Sequence, residues 1–308
     1  MDCKITIITP TYNRVHTLER VYESIVNQSF KQLKWLIMDD GSTDGTEKLV
    51  RKFQDEKLIE IDYFWQENQH KFHTVFDGVK KVITPYFVIW DSDDKYPKNS
   101  LEILYNEVSK LPKDGSFITA LGLSAYENGE IVGDRFPENL KEGSVLEMRY
   151  KHQIKGDKNG IFITKIYKEV LAKLNLLTYK KGVYIPYSVF YNLYDSLGYK
   201  TRFINQVIRF YMFDEADAAS VSNTRSSGKN QYGLMIGHLS FVNDYGRQLD
   251  IYPKAKIRNI IGYQVYAFAE KTPIFEINKK LKHFRFLAFL LLPFSYLFYL
   301  LKIKNNGL

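Results

Sequence analysis

From Lys4 to Leu111, short apolar runs alternate with segments of helical periodicity. In the first such segment Leu18, Val21 and Ile25 recur every three or four residues, which places them on one face of a helix. Strands and helices that alternate at this spacing predict right-handed crossovers and a parallel sheet flanked by helices. The predicted strands are Lys4–Thr9, Leu33–Met38, Leu58–Phe64 and Tyr86–Trp90, and the predicted helices are Thr17–Gln28, one opened by a capping box of Asp44 and Glu47, Thr74–Val82 and Leu101–Leu111.

Beyond Leu111 the pattern is less regular, and the sequence contains no internal repeat. The stretch Gly143–Lys165 is mixed and polar, without a clear period. The stretch Asp214–Gly228 is polar and small, and it is either a loop that closes over a bound substrate or a solvated linker. The elements predicted in this half are strands at Phe117–Ser124, Glu130–Val132 (with Asn128-Gly129 as a hairpin turn) and Phe203–Tyr211, and helices at Val189–Leu197, Leu234–Tyr245 and Lys256–Ala269.

Three carboxylates follow the apolar run Tyr86–Trp90 within four positions. An all-apolar strand of this kind is typical of a parallel sheet, where ligands bind beyond the carboxyl ends of the strands. Asp91, Asp93 and Asp94 would repel one another there unless a cation joins them, and carboxylate oxygens suit Mg²⁺ or Mn²⁺. Alternatively, Asp93 or Asp94 is only the cap of a helix that begins near Pro97.

Four polar loops leave the carboxyl ends of the predicted strands, so one edge of the sheet collects them. The first strand is followed by Pro10-Thr11-Tyr12-Asn13-Arg14, which is not a glycine-rich dinucleotide fingerprint, and the sequence contains no P-loop. A bound phosphate would therefore be held by a metal ion and basic side chains. The four loops are Thr9–Arg14, Asp39–Thr43, Gln66–Lys71 and Asp91–Asp94.

Composition and charge narrow the class of protein. The chain has 308 residues with ordinary apolar and charged fractions, and Cys3 as its one cysteine excludes an intrachain disulfide. The N-terminal residues lack a signal-peptide pattern, so no secretory leader is expected. The formal net charge is +8, and from Ile277 onward there are six Lys or Arg and no acid. The body of the chain has no basic and aromatic stripe, so a nucleic-acid partner is not expected.

The C-terminal region contains a run of sixteen residues without a charge, Phe286–Leu301, flanked by basic residues on both sides. Its length is marginal for a transmembrane helix, and Pro293 would break or kink such a helix. The pattern favours a monotopic helix pair or re-entrant anchor on an anionic leaflet. Packing against the protein's own core or a second subunit, and a true membrane span, are the alternatives.

Three motifs, in order along the chain, resemble those of the family-2 glycosyltransferases of GT-A fold. They are Ile8–Arg14 (ITPTYNR), Asp39–Thr46 (DDGSTDGT) and Asp91–Asp94 (DSDD). A looser match continues through Lys155–Lys158 (KGDK) and Arg202–Tyr211. The resemblance implies a GT-A-like α/β body, which is Rossmann-like with a mainly parallel central sheet and flanking helices. The apolar C-terminal segment adds an amphipathic or hydrophobic helical extension.

By this resemblance the loops at the sheet edge form the site of a nucleotide-diphosphate sugar, UDP-linked. Asp93 would be the chief ligand of Mn²⁺ or Mg²⁺, with Asp91 beside it, and Asp40 would accept a hydrogen bond from the base or ribose. The metal, with Lys71 or Arg14, would stabilise the charge that develops on the leaving diphosphate. The implied donor-binding residues are Thr9, Pro10, Thr11, Tyr12, Arg14, Asp40, Lys71, Asp91 and Ser92.

The residue that would deprotonate the acceptor hydroxyl departs from the family pattern. Inverting relatives place an Asp or Glu in the second half, and after the corresponding stretch Gly182–Pro186 this chain has Tyr187. A tyrosine with a pKa near ~10 is a weak base at neutral pH, so Asp157 in the KGDK stretch is the catalytic candidate. Asp157 could instead be a turn residue after Gly156. The other acids in this half are Asp195, Asp214, Glu215 and Asp217.

Together these expectations assign residues 1–112 to the donor half and 113–228 to the acceptor half of one domain. Residues 229–308 would form a helical region with a membrane-associating segment at 279–304. The predicted activity is inverting sugar transfer to a hydroxyl of a growing cell-surface glycan on a lipid carrier, at the cytoplasmic face of a membrane. The alternatives are a non-catalytic nucleotide-sugar-binding or scaffold protein, which Tyr187 keeps open, and a nucleotidyltransferase, against which the first loop argues.

Overall fold

The structure is a computed structural model that describes residues 2–212 and 230–301. The described chain divides into two compact units: residues 2–182 with 198–212, and residues 183–197 with 230–301. The predicted loop or linker Asp214–Gly228 lies outside the described residues, and so do the alternative acids Asp214, Glu215 and Asp217. The roles assigned to residues 1–112, 113–228 and 229–308 stay predictions.

An eight-stranded sheet forms the centre of the described part of the first unit. The strands are β1 (Ile5–Thr11), β2 (Leu33–Asp39), β3 (Ile61–Trp65), β4 (Tyr86–Ile89), β5 (Phe117–Ala125), β6 (Glu142–Gly143), β7 (Lys158–Ile163) and β8 (Lys200–Phe210). Their order across the sheet is β3-β2-β1-β4-β7-β5-β8-β6. Every residue of β1 and β5 is buried, as expected for apolar strands covered on both faces.

The sheet is mainly parallel, as predicted. β1 pairs in parallel with β2 and β4, and β2 pairs in parallel with β3. β7 runs antiparallel to both of its neighbours, β4 and β5, and β5 pairs in parallel with β8. Because β7 is reversed, its first residue lies at the edge where β1, β4, β5 and β8 end. One edge therefore collects the loops after these strands and the residue before β7.

The polar stretch Gly143–Lys165 contains elements that its pattern did not predict. These are the helix α5 (Val145–Tyr150), the strand β7 and the start of the helix α6 (Thr164–Leu171). The sequence of β7 begins with Lys158 and Asn159, so its apolar run is too short to stand out. The predicted strand Glu130–Val132 was wrong, since only an isolated bridge joins Ala125 to Ile131 there.

Helices α1 (Leu18–Val26), α2 (Thr46–Glu56), α3 (Lys71–Lys81) and α4 (Ser100–Val108) flank the sheet close to the predicted positions. The predicted capping box at Asp44 does not form: Gly45 is the N-cap, and the Asp44 carboxylate accepts hydrogen bonds from the Thr46 and Val15 backbone N–H groups. Asn99 precedes α4, so neither Asp93 nor Asp94 caps that helix.

Gly78 lets α3 lie close to the sheet. A Cβ on Gly78 would be 3.0 Å from both Ile8 Cγ2 and Met38 Cγ, so a larger residue would push the helix away from β1 and β2. The helix begins earlier than predicted, at Lys71. Its first turn thereby reaches the edge of the sheet where the polar loops gather.

The second unit is helical in its described part. Its helices are α7 (Ser188–Ser196), α8 (Gln231–Tyr245), α9 (Pro253–Ala269), α10 (Ile274–Lys279) and α11 (Arg285–Tyr299). Met235, Val242, Ile260 and Tyr263 form its core with Ala288 of α11. A Cβ on Gly233 would be 1.9 Å from the Tyr184 carbonyl oxygen, so α8 packs there only because position 233 is glycine.

The helix α11 continues through Pro293 and packs one face on α9. Gln264 Nε2 donates to the Ala288 carbonyl oxygen over 2.7 Å, and Ser295 Oγ donates to Gln264 Oε1 over 2.6 Å. The segment therefore packs on the protein's own helices, which the sequence left open as an alternative. Its other face remains exposed. Over residues 2–212 and 230–301, no helix combines the length and the apolar character needed to cross a membrane.

Candidate active site

The first loop, after β1, presents one large exposed side chain. Tyr12 is 44% exposed, whereas Pro10 and Thr11 are buried. Thr9 is buried as well, and its Oγ1 accepts a hydrogen bond from Trp35 Nε1 over 2.8 Å. Of the first four residues predicted in this loop, Thr9 to Tyr12, only Tyr12 thus has an exposed side chain.

The two aspartates after β2 differ in their partners. Asp39 accepts from the Ser42 backbone N–H through Oδ1 and from the Tyr63 hydroxyl through Oδ2. Asp40 is buried and accepts three hydrogen bonds at Oδ1, from Gln66 Nε2, the Gln69 backbone N–H and Thr74 Oγ1. No described residue donates a hydrogen bond to Asp40 Oδ2.

The carboxylates of Asp91, Asp93 and Asp94 lie together after β4, with ligand oxygens within 4.8 Å of one another. Lys71 Nζ at the start of α3 is 2.6 Å from Asp91 Oδ1, and Arg14 Nη2 is 3.7 Å from Asp93 Oδ2. The Thr17 hydroxyl donates to the Ser92 carbonyl oxygen over 2.8 Å and ties α1 to this loop. The structure thus brings together the predicted residues Arg14, Lys71, Asp91, Ser92 and Asp93.

The three carboxylates have different charge environments. Burial raises the pKa of Asp91, but Lys71 and Arg209 outweigh burial and hold this pKa below its usual range. Burial and the neighbouring Asp91 raise the pKa of Asp93. Burial raises the pKa of Asp94 to about 7, although Arg209 opposes the shift. Burial is thus the main reason why the charged forms of Asp93 and Asp94 are disfavoured, and the neighbouring carboxylates add to this effect.

Two arginines at this edge were missed by the sequence analysis. Arg209 lies in β8 with its side chain 3% exposed, and its Nη1 is 3.4 Å from Asp94 Oδ2 and 3.7 Å from Asp91 Oδ2. Arg20 in α1 donates through Nη2 to the Asp93 carbonyl oxygen. Arg209 interrupts a predicted strand that is otherwise largely apolar. A buried guanidinium requires carboxylate partners, and this signal could have identified it.

The two candidate bases fall in different units. Asp157 immediately precedes β7, and its Oδ2 accepts a hydrogen bond from Arg209 Nη2 over 2.6 Å. Its side chain is 64% exposed. Tyr187 is the N-cap residue of α7 in the second unit, where its ring contacts Phe190 and Tyr191. Asp157 is linked to Asp91 and Asp94 through Arg209.

Comparison with known proteins adds relatives that share this sequence pattern. The family described as "Glycosyl transferase family 2" matches residues 6–170, more than half of the chain. The Campylobacter jejuni GalNAc(5)-diNAcBac-PP-undecaprenol beta-1,3-glucosyltransferase is 25% identical over 241 residues, which cover 77% of this chain and 72% of that protein. Other curated glycosyltransferases, from Streptococcus pneumoniae and Rickettsia species, are 26 to 35% identical, but the matched region covers only 21 to 24% of their length.

Solved structures share the fold. The mannosyltransferase PcManGT from Pyrobaculum calidifontis, in complex with GDP-Man and Mn²⁺, has a TM-score of 0.54 at 16% identity and covers 98% of this chain and 82% of its own. Staphylococcus aureus TarS 1–349, in complex with UDP-GlcNAc, has a TM-score of 0.53 at 15% identity and covers 90% of this chain and 84% of its own. These likenesses confirm the predicted fold class. The match over residues 6–170 shows that the chain belongs to glycosyl transferase family 2.

Proposed function

We propose that the chain transfers a sugar from a nucleotide-diphosphate sugar, UDP-linked, to a hydroxyl of a growing cell-surface glycan, with inversion at the anomeric carbon. The observation that carries this proposal is the convergence of Asp40, Lys71, Asp91 and Asp93 at one edge of the sheet. Asp40 offers a carboxylate oxygen that can accept a hydrogen bond from an N–H or hydroxyl group. Lys71 offers an ammonium group for the diphosphate, and Asp91 and Asp93 offer carboxylates for a metal ion. Tyr12 would lie against the base, and Arg14 near the diphosphate.

The acidic cluster fits a divalent cation, Mn²⁺ or Mg²⁺. Burial, and after it the neighbouring Asp91, raises the pKa of Asp93, and a positive ion beside the two carboxylates would offset both effects. Asp94 is already engaged, because Arg209 pairs with its Oδ2 and the Met212 backbone N–H donates to its Oδ1 over 3.0 Å. The Asp94 side chain is also only 2% exposed, whereas those of Asp91 and Asp93 are 24% and 30% exposed. Asp91 and Asp93 would therefore hold the ion, which would compete with Lys71 for Asp91. When bound, such an ion supplies Lewis-acid stabilisation of the charge on the leaving diphosphate.

The transfer step would proceed by direct displacement. The acceptor oxygen attacks the anomeric carbon, the bond from that carbon to the diphosphate oxygen breaks, and the acceptor hydroxyl proton passes to a base. Asp157 would be that base through Oδ1, since Oδ2 is bonded to Arg209. Lys71 would lie beside the diphosphate, and its positive charge would offset part of the negative charge that the diphosphate gains as it leaves.

The proposal is tested by calorimetric titration of UDP and GDP with and without Mn²⁺, followed by an assay of transfer from UDP-sugars. We expect Mn²⁺-dependent binding of UDP that Asp93→Ala abolishes without a change in the circular dichroism spectrum. Binding that persists unchanged in Asp93→Ala would show that the metal site is misplaced. Nucleotide binding with no transfer to any acceptor would favour a non-catalytic protein, and release of diphosphate from a nucleoside triphosphate would favour a nucleotidyltransferase.

A lipid-linked acceptor and a location at the cytoplasmic face of a membrane extend this proposal. The C. jejuni relative is named for an undecaprenol-linked substrate. On α11 the side chains of Phe286 and Phe289 are 77% and 63% exposed, and soluble monomers rarely expose a contiguous apolar face of this kind. Basic residues border this face, which suits the headgroups of anionic lipids. They are Lys279, Lys280, Lys282 and Arg285.

Vesicle sedimentation tests this part of the proposal separately. We expect binding to phosphatidylglycerol vesicles, weaker binding to phosphatidylcholine vesicles, and a loss of ~10-fold or more in the double variant Phe286→Ser, Phe289→Ser, since burial of one such side chain contributes about 1.5–3 kcal/mol. Leu177→Ser is the matched control, because Leu177 is 93% exposed in the first unit. Equal binding by all three proteins, or none by the wild type, would contradict the membrane proposal.

A further inference from the structure

Arg209 is buried, which is unfavourable for a charged guanidinium unless carboxylates pair with it. Its side chain is 3% exposed, although a guanidinium in a protein is effectively always charged. Three carboxylates surround it: Asp94 at 3.4 Å, Asp91 at 3.7 Å and Asp157 at 2.6 Å. These acids lower the free energy of the charged form, so the pKa of Arg209 lies well above its usual value despite burial.

The guanidinium divides its donors between two sets of acids. Nη1 faces Asp91 and Asp94 in the loop after β4, and Nη2 donates to Asp157 before β7. Nε donates to Ser124 Oγ over 3.0 Å, which fixes the plane of the fork. The guanidinium is planar, and its N–H donors point in fixed directions. A rotation that shortens its hydrogen bonds to one set of acids therefore changes its distances to the other set.

The backbone around Arg209 is fixed to the same loop. The Lys95 N–H donates to the Phe210 carbonyl oxygen over 3.1 Å, and the Phe210 N–H donates to the Lys95 carbonyl oxygen over 2.8 Å. The Met212 N–H donates to Asp94 Oδ1. The end of β8 is therefore hydrogen-bonded to the acidic loop and to the residue that follows it, and Asp157 is bound to both through the Arg209 side chain.

We propose that Arg209 is a positioning residue that couples the metal-binding carboxylates to Asp157. This inference rests on the proposed function of the site. A divalent cation held by Asp91 and Asp93 offsets the charge of Asp91, which weakens the attraction between Asp91 and Nη1. The guanidinium then interacts relatively more strongly with Asp94 and Asp157. Loading the donor side thereby holds Asp157 more firmly for the acceptor.

Thermodynamic linkage makes the coupling reciprocal, so it can be measured by binding alone. If the cation strengthens the Arg209–Asp157 pair, that pair must strengthen cation binding by the same factor. Asp157→Asn also removes a charge near the cation, and this direct effect does not depend on Arg209. A double-mutant cycle separates the direct effect of Asp157→Asn on cation affinity from the effect that passes through Arg209. Only the second effect disappears when Arg209 is also replaced.

The experiment measures Mn²⁺ affinity in the presence of UDP, by electron paramagnetic resonance, for the wild type, Asp157→Asn, Arg209→Gln and the double variant. We expect Asp157→Asn to weaken Mn²⁺ binding by about 5-fold more in the wild-type background than in the Arg209→Gln background, the lower end of typical coupling. Arg202→Gln is the matched control, since Arg202 lies in the same strand but pairs with Glu142 at 3.2 Å. It should leave the effect of Asp157→Asn unchanged.

Equal effects of Asp157→Asn in both backgrounds would overturn the coupling while leaving the metal site intact. A wild type that does not bind Mn²⁺ with UDP would instead refute the proposed function. If Arg209→Gln fails to fold, Arg209→Lys replaces it in the cycle, because lysine keeps the charge but lacks the fork that reaches both sets of acids. An undiminished effect of Asp157→Asn in the lysine background would then also overturn the coupling.

Discussion

Gly156 sets the position of Asp157, and its replacement by alanine offers a sharp test of the site. Gly156 has a φ of +87°, and an added Cβ would be 2.0 Å from the Val132 carbonyl oxygen. The two segments are held together next to Gly156, since the Asp134 N–H donates to the Lys155 carbonyl oxygen over 3.1 Å and the Lys155 N–H donates to Asp134 Oδ2 over 2.8 Å. Neither segment can move aside without breaking these hydrogen bonds, so Gly156→Ala should displace Asp157 from Arg209.

The magnitude follows from comparison with Gly129, which has a nearly equal φ of +86° but no atom within 4 Å of its added Cβ. Gly129→Ala should therefore lose only the stability that an L-residue loses in left-handed backbone, about 1–2 kcal/mol. Gly156→Ala adds overpacking of roughly 1–3 kcal/mol. A loss of 1 kcal/mol lowers the midpoint of thermal unfolding by ~2–4 °C for a domain of this size. The midpoint should therefore fall by a few degrees in Gly129→Ala and about twice as far in Gly156→Ala.

The assay is thermal unfolding followed by circular dichroism, with transfer activity measured well below the midpoint of each variant. We expect folded Gly156→Ala to lose most of its activity and Gly129→Ala to keep it. Midpoints within ~2 °C of each other would refute the packing argument. Full activity in Gly156→Ala would show that the placement of Asp157 beside Arg209 does not matter for transfer.

Three further predictions concern single side chains at the site. Asp157→Asn should lower transfer by about 10²-fold or more with donor binding retained, whereas Tyr187→Phe should have little effect, and the reverse result would make the tyrosine essential. The pKa of Asp94 is raised by burial to about 7, so the folded protein binds a proton more tightly than the unfolded chain. The metal-free protein should then lose stability from this group as the pH rises from about 4 toward 7, and Asp94→Asn should reduce that slope in melting curves. Asp40→Asn should weaken UDP binding by ~10-fold, since it would place a donor where the ligand offers one, and unchanged affinity would remove Asp40 from the donor site.

The sequence determined that the loops after the first four strands would meet at one edge of the sheet, because this follows from the local pattern of strands and helices. The runs Lys4–Thr9, Leu33–Met38 and Tyr86–Trp90 are apolar enough to be recognised, and parallel strands joined by helices end at a common edge. Lys71 and the acids after Trp90 therefore meet in the structure as predicted. The residue types of the three acids are the basis for predicting a divalent metal ion at this edge.

Tertiary structure decided how Asp157 and Arg209 come to lie at this edge. β7 begins with polar residues and runs against its neighbours, so no local period showed that Asp157 would reach the same edge. Arg209 is far from Asp91, Asp94 and Asp157 in sequence, and only the pairing of β5 with β8 brings its guanidinium among them. Contacts of this kind depend on strand order across a sheet, which the hydrophobic pattern of a single segment does not encode.

The face that α11 exposes was also not determined by the sequence. It depends on tertiary contacts with α9, namely the hydrogen bonds of Gln264 to Ala288 and Ser295.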